Sequence, residues 1–479
     1  MTSPATTFQK SSTLAVPASA AFDWHCRPGA FERLIPPWER VRILHRSGGI
    51  SNQSRVTLSI KTGPLPLRWI AEHRDVVGDI QFRDVQIRGP FASWDHLHRF
   101  ESLEGDSSCL HDIIEYRLPL GPLGKVVAGK WIRSQLEAMF QWRHEVTRRD
   151  LARVWSCRHQ PPLKILISGA QGLVGQALVP LLSCAGHEVW SLSRRFSGTG
   201  VEFHSSARDH RVVWDPAQGE LAPALLEGFD AVIHLAGENV FGLWTESKKR
   251  EILQSRLRGT ALLSRTLAQL HHKPRVFLCA SAIGFYGHRP GQALTESSPP
   301  GTGFFPDSCQ GWEQTASPAT EAGIRTVNLR FGVVLTPRGG ALGKMLPAFS
   351  AGLGGAIGTG SQQVSWISIE DVISAIDFCL REESVSGPVN LTAPHPVSNG
   401  EFTATLARIL RRPALLPVPG AVRLLPLAGE MIGNLLLTDA MVLPQKLTTR
   451  EYPFIHPRLE DCLRSLLGRE LPPQAPSRS

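Results

Sequence analysis

Three glycines in Gly169-Ala170-Gln171-Gly172-Leu173-Val174-Gly175 follow directly on the apolar run Ile165-Leu166-Ile167-Ser168. Between a strand and a helix, glycines so spaced have separate tasks. One allows a tight turn, one lets backbone N–H groups approach a pyrophosphate, and one lets the helix pack close to the strand. The helix start adds unpaired N–H groups and the positive end of the macrodipole, a setting for an anion. Glycine also marks plain turns, but the strand-to-helix context favours a dinucleotide cradle built with Gln171, Leu173 and Val174. The next strand ends in Leu192-Ser193-Arg194-Arg195, where a site for NAD(H) usually places an acidic residue against the ribose hydroxyls. Arginine there suits a 2′-phosphate, so NADP(H) is expected ahead of NAD(H). The alternative is that both arginines are solvated surface charges.

Other chemistries leave weaker marks. Eight cysteines lie far apart with no C-x-x-C pair, and no histidines stand at metal-ligand spacing, so free thiols and no metal site are expected. His73, His96, His98 and His111 read as surface or hydrogen-bonded core residues. The net charge of +9 comes from scattered lysines and arginines rather than a basic block, which argues against nucleic acid and suits an anionic cofactor or a small-molecule substrate. Met1–Lys10 has no apolar core, and no uninterrupted apolar run approaches the ~18 residues of a membrane span. A cytoplasmic protein is the expectation.

The elements that must position these residues fall into two textures. Before His159-Gln160-Pro161-Pro162, alternating segments at Arg55–Ile60, Leu67–Val76, Gln81–Arg88, His96–Leu103 and Ser108–Leu118 predict an antiparallel sheet. Helices are predicted at Ala18–Trp24 and Lys125–Arg148. After it, strands at Lys164–Ser168, His187–Ser193, Arg211–Trp214, Ala231–Leu235, Arg275–Ala280 and Ile324–Leu329 alternate with helices at Leu173–Ala185, Lys248–Leu270 and Ser308–Ala322. Ile369–Arg381 reads as a further helix and Val389–Leu391 as a strand. That alternation is the pattern of βαβ units and a parallel sheet. The division expected is residues 1–157, a linker at 158–163, an α/β Rossmann doubly wound domain with a small C-terminal lid at 164–412, an extension at 413–470 and a tail at 471–479.

The second part resembles the extended, epimerase-like short-chain dehydrogenase/reductases, and more closely the YfcH-like epimerase family of atypical reductases. The residues that carry this are the glycine loop, Ala231-Val232-Ile233-His234-Leu235-Ala236-Gly237-Glu238-Asn239, Ala280-Ser281-Ala282-Ile283-Gly284-Phe285-Tyr286-Gly287 and Cys309-Gln310-Gly311-Trp312-Glu313. Leu329-Arg330-Phe331-Gly332, Gly339-Gly340-Ala341-Leu342-Gly343-Lys344 and Val364-Ser365-Trp366-Ile367-Ser368-Ile369-Glu370-Asp371 continue it. Pro413–Pro419 and Val442–Leu447 are similar to that family's own C-terminal extension. The resemblance implies that Leu235, Ala236, Gly237 and Glu238 lie beside the cofactor, that Ser281 and Tyr286 face the nicotinamide, and that Arg330 and Trp366 belong to the substrate side. Leu235 and Ala236 are otherwise plain core, and Tyr286 a packed aromatic.

The superfamily's Tyr-x-x-x-Lys pair, in which the lysine lowers the tyrosine pKa, is absent. Cys309 stands at the tyrosine position and Glu313 at that of the lysine, while Ala282 occupies the position of the catalytic Ser or Thr. Either another donor acts, with Ser281, Tyr286, Cys309 and Glu313 as candidates, or the domain binds cofactor without hydride transfer. The bland reading of Cys309 and Glu313 is an ordinary first helical turn capped by Ser308.

Residues Phe8–Arg149 resemble the START/polyketide-cyclase-like superfamily, an α+β helix-grip fold. The carriers are an opening strand at Phe8–Val16, then Pro17–Trp24, Phe31-Glu32-Arg33-Leu34-Ile35-Pro36-Pro37-Trp38 and the closing amphipathic helix. Such a fold implies an apolar ligand in a cavity, with Trp38, Trp69, Trp94 and Trp131 lining it or packed as core. Two functions stay open at this point: an NADP(H)-dependent oxidoreductase or epimerase-like enzyme with a fused ligand-binding domain, and a non-catalytic NADP(H) sensor.

Overall fold

A computed structural model describes residues 5–62, 65–119, 121–194, 210–414, 433 and 437–469. Arg195 and, in the extension, residues 415–432, 434–436 and 470 lie outside the described residues.

The amino-terminal part is one antiparallel sheet wrapped on a long helix. Its elements are β1 (Thr6–Leu14), α1 (Ala18–Cys26), α2 (Ala30–Arg33), β2 (Val41–Arg46), β3 (Arg55–Thr62), β4 (Leu65–Val77), β5 (Gln81–Arg88), β6 (Ser93–Ser102), β7 (Ser108–Arg117) and α3 (Gly121–Ser156). The strand order is β1-β7-β6-β5-β4-β3-β2, so the first strand pairs with the last and the rest form a meander. The period-2 alternation puts Phe82, Phe100 and Leu110 inward with Leu14, Phe22 and Trp24, while Trp94, Ile114 and Tyr116 meet Phe140 on α3. This is the helix-grip arrangement. Val41–Arg46 is a strand that the sequence pattern did not reveal, because its side chains are mostly half-exposed and do not alternate cleanly.

The second part is a doubly wound parallel sheet. It runs β8 (Lys164–Ser168), α4 (Leu173–Cys184), β9 (Glu188–Arg194), β10 (Arg211–Trp214), β11 (Ala231–His234), α5 (Glu246–Ala268), β12 (Val276–Ala282), β13 (Arg289–Leu294), α6 (Phe304–Gln314), α7 (Ser317–Glu321) and β14 (Arg325–Phe331). Then come β15 (Val333–Thr336), α8 (Gly340–Ser350), β16 (Gln363–Val364), β17 (Trp366–Ser368), α9 (Ile369–Arg381), β18 (Gly387–Leu391), β19 (Val397–Ser398), α10 (Asn399–Leu410) and β20 (Ala440–Val442). The main order β10-β9-β8-β11-β12-β14-β18 reverses direction at β8, and the crevice between β8 and β11 is where such sheets bind ligands. Near-continuous apolar strands such as Ile165-Leu166-Ile167 and Val276–Cys279 are buried because helices cover both faces.

The helix expected at Ser308–Ala322 is two helices, the first beginning at Phe304. Gly303 opens it, Pro306 fits its first turn, and Pro318 starts the second piece. Ser308 is therefore inside α6, its hydroxyl donating to the Phe304 carbonyl, and is not a cap.

The two parts meet over polar and apolar contacts. Arg27 donates to the Cys184 carbonyl at the end of α4 (2.8 Å), and the Gly29 turn lies so close to Pro180 that a Cβ would sit 2.8 Å from the proline Cα. Near the other end of the chain, Gly468 lies against the Trp38 indole, with room for a Cβ only 2.6 Å from the ring.

Candidate functional site

The glycine loop leaves β8 at the switch point, and its close approaches explain two of the three glycines. Gly169 has φ +73°, and a Cβ there would lie 2.8 Å from the Leu235 and Ala236 backbone at the end of β11. At Gly175 a Cβ would be 2.3 Å from the Gly169 carbonyl oxygen and 2.6 Å from the Ala170 Cα, so α4 packs tightly on the turn. Gly172 caps α4 without a side chain, which leaves the first-turn N–H groups of Leu173, Val174 and Gly175 without a side-chain acceptor. Gln171 and Gly172 are exposed beside them. Such a cradle, open at a helix N-terminus and closed to any Cβ, fits a pyrophosphate.

Ser168 ties the two strands of the crevice together. Its hydroxyl accepts from the Leu235 N–H (3.2 Å) and the Ala236 N–H (3.3 Å) and shares a 2.6 Å hydrogen bond with His234 Nδ1. Burial pushes His234 down to about 4, so its ring is neutral. Leu235 and Ala236 are half-buried and Gly237 is exposed, as residues flanking a crevice are. Glu238 is paired with Lys248, whose hydrogen bond lowers the carboxyl pKa. A cation missed in the sequence, Arg256, places its guanidinium beside Gly237 and over the Trp312 ring (5.0 Å).

At the end of β9, Arg194 is exposed. Arg211, another cation the sequence reading passed over, donates to the Ser193 hydroxyl (2.5 Å) and to the Arg194 carbonyl (2.9 Å). Its signal was its place at the start of β10, which pairs in parallel with β9.

The four candidate catalytic residues converge at the ends of β12 and α6, with Arg330 at their centre. Ser281 donates to Glu313 Oε1 (2.7 Å), and Arg330 grips the same carboxylate with Nε to Oε1 (2.7 Å) and Nη2 to Oε2 (2.8 Å). The third guanidinium nitrogen, Nη1, donates to the Tyr286 hydroxyl (2.8 Å), which in turn donates to Asn390 Oδ1 (2.7 Å). Phe285 lies 3.5 Å below the guanidinium carbon. Arg330 is thus a buried girder, each of whose three nitrogens donates within the protein. Expected on the substrate side, it is 3% exposed.

Trp366 is likewise core: it is fully buried, and its indole N–H donates to the His395 carbonyl. Burial pushes the Cys309 thiol up to about 12, with the Glu313 carboxylate adding to the effect, so it is protonated near neutral pH. Tyr286 is fully buried, and desolvation raises its pKa against the opposing influence of Arg330. Only Glu313 in this network keeps a partly open side chain (12%).

In the amino-terminal part, Trp94 and Trp69 pack edge to face at 5.2 Å and Trp38 packs on Trp142, whereas Trp131 is half exposed. The inner face also brings His73, His96 and His98, which the sequence showed only as lone histidines, together with Asp84 and Asp112. No helix among the described residues is long and apolar enough to cross a membrane.

Comparison with known proteins gives three family matches. Residues 165–391 match the profile of the NAD dependent epimerase/dehydratase family, residues 14–140 that of the polyketide cyclase / dehydrase and lipid transport family, and residues 418–466 a domain of unknown function, DUF1731. An epimerase family protein of Mycobacterium bovis is 37% identical over 300 residues, 62% of this chain and 96% of the relative. A crystal structure of a nucleoside-diphosphate sugar epimerase from Corynebacterium glutamicum is 30% identical with a TM-score of 0.77, covering 96% of this chain and 90% of its own. The human epimerase family protein SDR39U1 (isoform 2), solved with NADPH, is 32% identical with a TM-score of 0.56 over 64% of this chain and 99% of that one.

Proposed function

The chain belongs to the NAD-dependent epimerase/dehydratase family, and on that premise we propose that it binds NADP(H) in the crevice between β8 and β11 and acts as an atypical oxidoreductase or epimerase-like enzyme on a small molecule. The observation that carries this reading is the glycine cradle, where Gly169 and Gly175 tolerate no side chain and the first turn of α4 is left open. The NADPH of the human relative supports the choice of cofactor. Arg194, with Arg211 beside it, is the group for the 2′-phosphate. The bound cofactor would supply the hydride.

For the chain's own part, Glu313 takes the place usually held by lysine and presents a carboxylate that accepts hydroxyl groups. Ser281 and Arg330 fix its orientation. Tyr286 acts as a positioning residue through Arg330 rather than as a proton donor, since its hydroxyl is enclosed between Arg330 and Asn390. The helix-grip domain is the binder of an apolar ligand.

Fluorescence titration with NADPH and NADH tests the cofactor reading: NADPH is expected to bind more tightly in the wild type, and Arg194→Ala to remove the difference. Equal affinities in the wild type would overturn it.

A second reading rests on the contacts that Arg27 and Gly29 make with α4, the helix that starts at the glycine loop. Through them, cofactor occupancy is coupled to the ligand-binding domain, and the protein serves as a sensor. Tight NADPH binding without cofactor oxidation by any of a panel of carbonyl compounds would favour it.

A further inference from the structure

The inner face of the amino-terminal sheet is apolar at its two ends. Phe82, Phe100 and Leu110 form one cluster, and Trp94, Ile114 and Phe140 the other. Between them runs a band of two carboxylates and four imidazoles.

Strand register creates this band. Asp84 on β5 stands opposite both His96 on β6 and His73 on β4, and His98 stands opposite Asp112 on β7. His96 and His98 are two residues apart and so share a face. Asp112 is surrounded: His96 Nε2 lies 2.8 Å and His98 Nδ1 2.6 Å from its Oδ1, while His144 Nε2 from α3 lies 2.7 Å from Oδ2. Asp84 approaches His98 Nε2 at 3.3 Å and His73 Nδ1 at 2.6 Å. Buried carboxylates in apolar surroundings are costly without a compensating cation.

We propose that Asp84, His96 and His98 bind a divalent transition-metal ion of the zinc class, with Asp112 as the outer carboxylate that orients both imidazoles. One ligand atom from each of the three residues lies within 4.8 Å of the others. Atoms at 2.0–2.2 Å from a shared ion stand up to about 4 Å apart, so the set needs only a small contraction. Each imidazole gives one nitrogen to Asp112, His96 through Nε2 and His98 through Nδ1; the remaining nitrogen of His98, Nε2, faces Asp84 at 3.3 Å, so an ion there would replace that hydrogen bond. A carboxylate behind a ligating histidine fixes the ring and raises its basicity. Two imidazoles and a carboxylate suit zinc and its neighbours better than calcium or magnesium. The 2+ charge would replace the proton that Asp84 and Asp112 favour on His98 as their counter-charge. Phe82, stacked on His98 at 4.2 Å, keeps water from one side, while the part-exposed Asp84 and His73 leave an entrance. Three protein ligands also leave a coordination position open to solvent or to a polar ligand head group.

The test uses the full chain, stripped with a chelator and titrated calorimetrically with Zn2+, and with Co2+ followed by visible absorption. One ion per chain is expected. Asp84→Asn should abolish stoichiometric binding, Asp112→Asn should weaken it about 10–100-fold, and His111→Gln, outside the cluster, should leave it unchanged. X-ray absorption of the zinc-loaded wild type needs no variant and should show two imidazoles and no sulfur. Absence of stoichiometric binding, sulfur in the coordination sphere, or retention of full affinity in folded Asp84→Asn would overturn the assignment.

Discussion

The guanidinium of Arg33 in the helix-grip domain reaches the carboxylate of Glu370 at the start of α9 in the Rossmann domain, with Nη1 at 3.0 Å and Nη2 at 2.8 Å. The same guanidinium holds Asp150 of α3 at 2.8 Å through Nε, and all three side chains are about 95% buried. Removing one member strands a charge in a dry interface. Arg33→Ala is therefore expected to destabilise the protein by about 3–5 kcal/mol. Replacing Arg33, Asp150 and Glu370 together by apolar residues of similar volume should cost far less. Chemical denaturation of the two variants makes the comparison.

The pH dependence has a definite sign. Burial works to raise the Glu370 carboxyl, but Arg33 and Arg149 overcome it and hold the group at about 2. Its stabilising contribution is full above 4.5 and is lost as the pH falls from there towards 2. Burial also lowers His187 and His234 to about 4 and His456 to about 3, so the unfolded chain takes up their protons first as the pH drops below 6.5. Each such histidine removes up to about 1.4 kcal/mol per pH unit in that window. Urea midpoints at constant ionic strength should fall progressively below about pH 6.5, and midpoints that stay level down to pH 5 would contradict these shifts.

Replacement of Gly175 by alanine places a Cβ against the Gly169 carbonyl and the Ala170 backbone. Neither can move without opening the turn, so a cost of about 1–3 kcal/mol is expected. Loss of NADPH affinity should exceed the loss of thermal stability measured without cofactor.

Tyr286→Phe and Glu313→Gln separate scaffold from site. The first leaves Arg330 Nη1 and Asn390 Oδ1 without their hydroxyl, which costs about 1–3 kcal/mol of stability. Single-turnover cofactor oxidation in that variant, once a substrate is found, should stay within about a factor of ten, below the 10²–10⁴ typical of a lost acid or base. Glu313→Gln should impair turnover or NADPH binding directly, and Cys309→Ala should change neither.

Local signals made much of this legible in the sequence. Lys164–Ser168, Arg211–Trp214 and Ile369–Arg381 have the bounds their patterns predict, and the glycine loop occupies the predicted strand-to-helix turn. What stayed hidden depends on partners distant in the chain. Arg330 reads as a site cation until its place on β14 puts it opposite Ser281 and within reach of Glu313. His96 and His98 have no ligand spacing by themselves; Asp84 and Asp112 join them through strand register, which single-sequence spacing does not express. Helix α6 began four residues earlier than expected because Gly303 and Pro306 set its start, which moved Cys309 and Glu313 away from the first turn.

The Gly468–Trp38 contact bears on the order of events at the ribosome. The helix-grip domain is synthesised first, and domains generally begin to fold as they emerge. Trp38 then waits for a glycine 430 positions later, and Arg33 for Glu370, before their surfaces are covered. Until Gly468 has been made, the first domain carries an open aromatic face, and until Glu370 has been made Arg33 has only Asp150 as its partner. A nascent chain arrested before Gly468 should therefore be the form most in need of a chaperone.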